Sequence, residues 1–137
     1  MILRLKTKLD TETKLNQLQT LLQLSSKAAV MRICIAYSLR FGKDPRVVDN
    51  RIIKYDIREQ NGADYNRFTI FGQDEVVYKA LMEESLQRKI PDEEFFPELT
   101  NAHIERGIVM LYGDVKLAKT KERYLKDTIL SKNGDQK

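Results

Sequence analysis

A run that is apolar at nearly every position limits what this chain can fold into. Over residues 28–39 the one charge inside the run is Arg32, so a helix formed there is apolar almost all round. Such a helix must be buried on most of its surface. Ser25 and Ser26 can cap its first turn, and Gly42 can end it in a left-handed conformation. The sequence therefore predicts a buried central helix around which the other elements pack.

Length and composition bound the rest of the fold. A chain of 137 residues, 42% hydrophobic and 32% charged, is long enough for one compact domain with its own core. We expect this domain over residues 1–130 and a disordered C-terminal tail over residues 131–137. The single cysteine, Cys34, excludes an intramolecular disulfide and a cysteine-cluster metal site. The N-terminus lacks the apolar run of a signal peptide, and no stretch is long enough to span a bilayer, so we expect a cytoplasmic protein.

Hydrophobic periodicity predicts helices on both sides of the central one. Leucines at helical spacing predict a helix that begins at Asp10 or Thr11. Further helices are predicted over residues 74–88, from Pro97 onward, and over residues 114–130, with Gly113 as the stop before the last one. In the helix over 74–88, the residues expected to face inward are Val76, Val77, Ala80 and Leu81. The predicted fold class is mainly α, a compact helical domain.

The N-terminus predicts a short β-strand. Residues 2–9 alternate between apolar and basic side chains, and the basic ones are Arg4, Lys6 and Lys8. A strand with cations on one face, followed by two helices, is the opening of ribbon-helix-helix proteins, whose strands pair across a dimer and enter the major groove. A sequence-specific repressor of that type is therefore an alternative function. An edge strand whose lysines prevent aggregation fits the same pattern.

Charge is distributed unevenly along the chain. Residues 1–54 hold 11 basic and 4 acidic residues, residues 55–115 hold 6 and 13, and residues 116–137 hold 7 and 3. Basic ends thus flank an acidic middle, which suits either phosphate binding or assembly of acidic and basic regions from neighbouring copies. Near the C-terminus, four cations advance by three and four residues and form one helical stripe: Lys116, Lys119, Arg123 and Lys126.

Three segments, in order, resemble the DndE family of DNA sulfur-modification proteins. They read Arg-Ile-Cys-Ile-Ala-Tyr-Ser-Leu over residues 32–39, Asn-Arg-Phe-Thr-Ile-Phe-Gly over residues 66–72 and Ala-His-Ile-Glu-Arg-Gly over residues 102–107. The resemblance covers residues 27 to about 112. It implies a mainly helical, lysine-rich, tetramer-forming small subunit that binds duplex DNA and prefers a nick. The system that it implies replaces a non-bridging phosphate oxygen with sulfur, using an iron–sulfur subunit and an ATPase subunit as partners.

The resemblance and the charge pattern together give the functional expectation. We expect a non-catalytic, DNA-binding homo-oligomer with no cofactor, no metal and no membrane contact. The family's DNA contacts are lysines, which carry over only as a residue type. The DNA-binding candidates are Arg4, Lys6, Lys8, Lys14, Lys27 and Lys43, followed by Lys116, Lys119, Arg123 and Lys126.

Other polar residues are expected to be structural. His103 is the only histidine, and a lone histidine is rarely a metal site. Arg67 can bind a phosphate, but an internal carboxylate is the favoured partner because the middle of the chain is acidic. A Mg²⁺-dependent nuclease that uses His103 or Asp92 is an alternative, disfavoured because adjacent acids in one loop do not converge on a metal. An assembly adaptor without DNA affinity is a further alternative.

Overall fold

The computed structural model describes residues 1–135, with side chains described to residue 129. Within this part the chain forms four short strands and five α-helices: β1 (Arg4–Lys6), α1 (Leu9–Leu21), α2 (Lys27–Phe41), β2 (Val47–Val48), β3 (Arg51–Ile52), β4 (Asp64–Asn66), α3 (Arg67–Phe71), α4 (Glu75–Leu86) and α5 (Thr100–Asp135). This confirms the mainly α fold with a short N-terminal strand. The predicted tail over residues 131–137 lies outside the described side chains, so the boundary at residue 130 stays a prediction.

The central helix forms as the sequence predicts. The Ala29 amide donates to Ser26 Oγ at 3.1 Å, and Gly42 ends α2 in the left-handed region with φ 82°. Inside these caps Met31, Cys34 and Ile35 have no solvent exposure, because α2 lies between the other helices of the domain. The core is thus centred on the run that the sequence identified as the most apolar.

Helices α2 and α5 approach each other closely enough for their backbones to touch. A Cβ atom added at Gly107 of α5 would lie 1.8 Å from the Cys34 carbonyl oxygen of α2. Only glycine fits there, since a backbone atom cannot move aside as a side chain can. Gly107 therefore fixes the distance between the two main helices of the domain.

The predicted break at Gly113-Asp114 is wrong. Helix α5 runs through both residues without interruption, and open space surrounds Gly113. A glycine weakens a helix by about 1 kcal/mol relative to alanine but leaves its hydrogen bonds in place, so it ends a helix only when the backbone turns there. The two predicted C-terminal helices are therefore one.

The inward face of α4 is also not the predicted one. Val76, Val77 and Leu81 are exposed, Val76 at 78%, whereas Met82 is fully buried and Tyr78 packs against the core. The helix is apolar on two sides, and periodicity alone does not choose between them. The side that the sequence assigned to the core faces solvent.

Strand β1 pairs within its own chain. It runs antiparallel to β4, with Leu5 opposite Tyr65, and both side chains are buried. On the other edge of β1, the Lys6 amide donates to the Tyr55 hydroxyl at 3.0 Å. This pairing takes the place of the ribbon between subunits that a ribbon-helix-helix dimer requires.

Candidate nucleic-acid interface

The predicted DNA-binding cations lie on and just after β1, where α1 meets α5, along the C-terminal part of α5, and near the two ends of α2. Their local surroundings differ, because some meet a carboxylate and others do not. This difference determines how much positive charge each cation adds to the surface, because a paired carboxylate cancels most of the field of its cation.

The β1 cations alternate with the buried side of the strand. Arg4 and Lys8 are exposed and Lys6 is half-buried, as the period of two dictates. Lys8 Nζ lies 3.8 Å from Glu105 Oε1, whereas Arg4 and Lys6 form no ion pair among the described residues. The strand thus presents two unpaired positive charges on one edge of the domain.

The N-terminal and C-terminal basic regions meet at one aromatic ring. Lys14 Nζ of α1 lies 5.8 Å from the centre of the Tyr112 ring, and Lys116 Nζ lies 5.3 Å from it. The Tyr112 hydroxyl donates to Gln17 Oε1 at 2.6 Å, which fixes the ring between the helices. Lys14 also pairs with Asp10 one turn earlier, at 3.1 Å. Sequence reasoning missed Tyr112, which brings together cations about a hundred positions apart.

The basic stripe continues from this cluster along α5. Lys116, Lys119, Arg123 and Lys126 are all exposed. Lys119 and Lys126 share Glu122, at 3.8 and 3.1 Å, so the stripe keeps a surplus of positive charge. Exposed pairs of this kind contribute at most about 1 kcal/mol and leave their cations free to rearrange. The stripe is therefore positive, exposed and continuous over about three helical turns.

Lys27 and Lys43, at the two ends of α2, have opposite environments. Lys27 Nζ lies 3.0 Å from Glu12 Oε1, and the same buried carboxylate accepts from the Tyr65 hydroxyl at 2.7 Å and from Thr7 Oγ1 at 2.8 Å. Burial, together with the Glu12 carboxylate, raises the pKa of Tyr65, which stays protonated. Lys43 is exposed and forms no ion pair within residues 1–129. Lys27 thus holds the fold together, and Lys43 adds charge to the surface.

The first and third resemblance segments contact each other. Arg106 Nε donates to Ser38 Oγ at 2.8 Å, and Arg106 Nη2 donates to the Ser38 carbonyl oxygen at 2.6 Å. Ser38 Oγ also lies within hydrogen-bond distance of His103 Nδ1, at 2.8 Å. His103 is 1% exposed, and burial lowers its pKa to about 3, so the ring is neutral. This network has a structural role, as expected for His103.

The middle segment is organised by Arg67. Its guanidinium donates to Glu75 Oε1 at 2.5 Å and to Asp92 Oδ1 at 2.6 Å, and its side chain is buried. The internal carboxylate clamp predicted for Arg67 is thus confirmed. The hydrogen bonds from Arg67 hold the pKa of Asp92 below its usual value. Within the part of the chain that the structure describes, no three His, Cys, Asp or Glu side chains come together as metal ligands.

Two further findings bear on the chemistry. Cys34 is buried, and desolvation raises the pKa of its thiol to about 12, which keeps it out of the reactive thiolate form. No helix among the described residues combines the length and apolar character that crossing a membrane requires.

Comparisons with known proteins give a family from the sequence and a similar fold from a solved structure. The sequence model of the family described as "DNA sulphur modification protein DndE" matches residues 4–119. Among solved structures, the chain is similar to the crystal structure of DndE from Escherichia coli B7A, a protein involved in DNA phosphorothioation modification. That likeness has a TM-score of 0.53 at 14% sequence identity and covers 81% of this chain and 97% of the other. No curated protein sequence matches the chain.

Proposed function

Because the chain belongs to the DndE family of DNA sulphur modification proteins, we propose that it is the non-catalytic, DNA-binding subunit of a phosphorothioate-modification machinery. In this role it binds nicked or intact duplex DNA and presents it to partner subunits. The iron–sulfur and ATPase subunits supply the sulfur chemistry and the energy. The chain supplies a charged surface and a rigid frame.

The observation that carries the proposal is the continuity of the positive surface around Tyr112. Lys14 and Lys116 flank this ring, and Lys119, Arg123 and Lys126 extend the surface along α5. From Lys116 to Lys126 the helix rises about 15 Å. At about 3.4 Å of axial rise per phosphate of one strand, this length follows about four phosphates. Exposed cations in such a row neutralise phosphate charge and release counterions.

The non-catalytic part of the proposal is supported by what the reactive side chains already do. His103 and Ser38 bind each other inside the core, and Cys34 is a buried thiol. Asp92 is held by Arg67, and Glu94 by Arg88 and Arg46. A catalytic residue must reach a substrate, and these side chains are committed to internal contacts.

The test measures binding to a nicked duplex over a range of salt. In the variant with Lys116, Lys119, Arg123 and Lys126 all changed to glutamine, affinity should fall and the slope of log K against log salt should decrease in magnitude by about 3.6. The matched control changes Arg58 and Lys89, two exposed and ion-paired cations of the acidic middle, and should bind as the wild type does. Equal wild-type affinity at about 50 and 500 mM salt would refute the electrostatic contact. Intact assembly without DNA affinity would favour the adaptor role.

We also propose that copies of this chain assemble through α4 and the projecting part of α5, by which we mean the exposed helix from residue 116 onward. The expected assembly is a tetramer, as the resemblance to the family implies. In the projecting part, Leu117, Lys121 and Leu125 recur every four residues on one side of the helix, with Tyr124 beside them. All four are exposed, and this side lies opposite the basic stripe. The helix thus has an apolar face with one cation at its centre.

Helix α4 offers a complementary face. Val77 and Leu81 are exposed on one side of it, and Glu84 follows them on the same side. Neither Glu84 nor Lys121 forms an ion pair within the described chain. Exposed apolar faces of this kind typically mark contact surfaces, and the opposite charges of Glu84 and Lys121 favour α4 against α5 over either helix against itself.

A charge exchange tests this interface. Lys121→Glu and Glu84→Lys should each reduce the assembled fraction, and the double variant should recover it, because the ion pair is restored with reversed sign. Molar mass from light scattering over a dilution series is the measurement. Lys119→Glu, on the opposite side of α5, is the control and should assemble normally. Failure of the double variant to recover assembly would exclude this pairing of faces.

A further inference from the structure

The hairpin formed by β2 and β3 exposes large apolar side chains on both of its faces. Val47 lies opposite Ile52 on one face, and Val48 lies opposite Arg51 on the other. The two valines are about half-exposed, and Ile52 is 69% exposed. A two-stranded ribbon is at best marginally stable by itself, and it gains stability when one of its apolar faces is covered. The described chain leaves both faces of this hairpin open.

The apolar surface of the hairpin continues across an adjoining cleft. This cleft, of about 510 Å³, lies between the hairpin and α5, and both valines line it together with Phe41, Ile53 and Val109. These last three side chains are also exposed. The six apolar residues offer roughly 600 Å² of accessible surface, so two such patches exceed the total of about 1,000 Å² that a specific interface needs. A patch of this size is at the upper end of what monomeric proteins expose.

The charges around this apolar patch have both signs. Five of them are exposed and form no ion pair within residues 1–129: Asp49 and Arg51 beside the hairpin turn, and Lys43, Lys54 and Glu59 around the cleft. Three further acids of the cleft each lie within 3.9 Å of a cation of the same chain: Asp56, Glu98 and Glu105. A phosphate backbone or an anionic membrane requires a surplus of cations, which this mixture does not provide. The mixture suits a protein surface that carries both signs itself.

We infer that this patch is a contact between two copies of the chain, related by a two-fold axis beside the hairpins. In a two-fold contact every pairing occurs twice, so Asp49 of each copy meets Arg51 of the other. The apolar side chains of the two hairpins then cover one another. A second copy carries the matching acid, base and apolar residues because its sequence is the same, whereas an unrelated protein would have to reproduce them.

This contact is distinct from the proposed contact between α4 and α5 and does not rest on it. A tetramer with dihedral symmetry needs more than one kind of contact between its copies, and the hairpin contact supplies a second kind. Without the α4–α5 contact, the hairpin contact alone would form a dimer. In both cases, loss of the hairpin contact halves the molar mass of the assembly.

The first experiment places a charge in the apolar contact. Because Ile52 is so exposed, the fold should tolerate Ile52→Lys, and the melting temperature should stay close to that of the wild type. At a concentration that fully assembles the wild type, the variant should have half the wild-type molar mass by light scattering. Phe68→Lys, the same kind of change at an exposed position of α3, is the control and should assemble normally. A monomeric wild type, or an unchanged mass for Ile52→Lys, would overturn the inference.

A cross-linking experiment locates the two-fold axis. In Arg51→Lys the introduced amine keeps the positive charge, and a carbodiimide joins an amine to a carboxylate that it contacts. A re-equilibrated mixture of isotope-labelled and unlabelled protein should then give the peptide of residues 47–54 joined to a second copy of itself, with mixed isotopic mass.

The matched control adds Asp49→Asn to the Arg51→Lys variant. Asparagine suits the positive φ of 51° at this position, so the turn should remain while the carboxylate, and with it the cross-link, is lost. Cross-links confined to single copies, or a cross-link between copies that persists in the control, would rule out this pairing of Asp49 with Arg51.

Discussion

The two ends of α5 have opposite relations to the rest of the molecule. In the first half, Ile104, Ile108 and Leu111 are buried against the core, and the Arg106 guanidinium is satisfied by Ser38. In the second half, from Lys116 onward, Leu117 and Tyr124 are exposed together with the basic stripe. One continuous helix is thus a structural element at its start and a free surface at its end.

The residues by which the chain resembles its family are packed in the core, whereas most of those that we propose bind DNA are exposed. The segments that resemble the family pack against each other, with Gly107 on Cys34 and His103 on Ser38. They specify the close approach of two helices. We therefore expect function in the exposed half of α5, where the charges remain accessible. The part of α5 after residue 119 also lies beyond the range matched by the family.

The largest expected effect comes from a substitution at the closest contact between α2 and the first half of α5. Gly107→Val should destabilise the protein by more than about 3 kcal/mol or prevent folding, because its Cβ would overlap the Cys34 carbonyl. Gly113→Ala, on the same helix in open space, should instead stabilise it by about 0.5–1 kcal/mol. Urea denaturation measures both. If Gly107→Val were as stable as Gly113→Ala, helix propensity and not the α2–α5 contact would determine the outcome.

The next effect is a pH dependence of the stability, which arises from His103 in the packed first half of α5. Since burial lowers the pKa of His103 from 6.5 to about 3, the unfolded chain takes up a proton that the folded chain refuses. Stability is therefore complete above pH about 6.5 and falls by about 1.4 kcal/mol per pH unit below it. Between pH 6.5 and 5 the loss should be about 2 kcal/mol, measured by urea denaturation at each pH.

The control for this pH dependence is His103→Gln, which keeps a polar side chain without a titrating ring. Its stability should change little between pH 6.5 and 5. Asp44, Asp92 and Glu94, whose pKa values are also lowered, contribute only at lower pH. An unchanged slope in the variant would assign the pH dependence to another group.

The smallest effects compare Lys27, which is paired with a buried carboxylate, with Lys43, which is on the surface. Lys27→Gln should cost about 1 kcal/mol of stability, because buried Glu12 loses an ionic partner but keeps the Tyr65 and Thr7 hydroxyls. Lys43→Gln should leave stability within about 0.5 kcal/mol and weaken DNA binding a few-fold. Thermal unfolding and salt-dependent DNA binding distinguish them. The reverse pattern would show that the ion pair in the structure does not identify which lysine faces DNA.

The sequence predicted helices and strands correctly where residues within a single segment determine them. Ser26 and Gly42 gave the limits of α2 to within two residues, and the alternation around Leu5 gave β1. The prediction was wrong at Gly113, where a residue that often ends helices lies in one that continues. It was also wrong for α4, where two apolar sides compete. Which side of α4 is buried depends on the elements that pack against it, and the periodicity of the helix does not identify those elements.

The candidate site was only partly accessible to sequence reasoning. The stripe from Lys116 to Lys126 follows from helical spacing, and the structure keeps it exposed. The Tyr112 ring that joins it to Lys14 depends on α1 lying beside α5.

By itself, the sequence determined the buried central helix, the mainly α architecture and the family, because caps, periodicity and short motifs each involve a few neighbouring residues. Only the tertiary structure decided which cations are neutralised and which remain free. Lys27 meets a carboxylate 15 positions away, and Lys8 meets one on α5, near the other end of the domain. Electrostatic attraction acts through space, so the partner of a charge is fixed by the fold and not by its place along the chain.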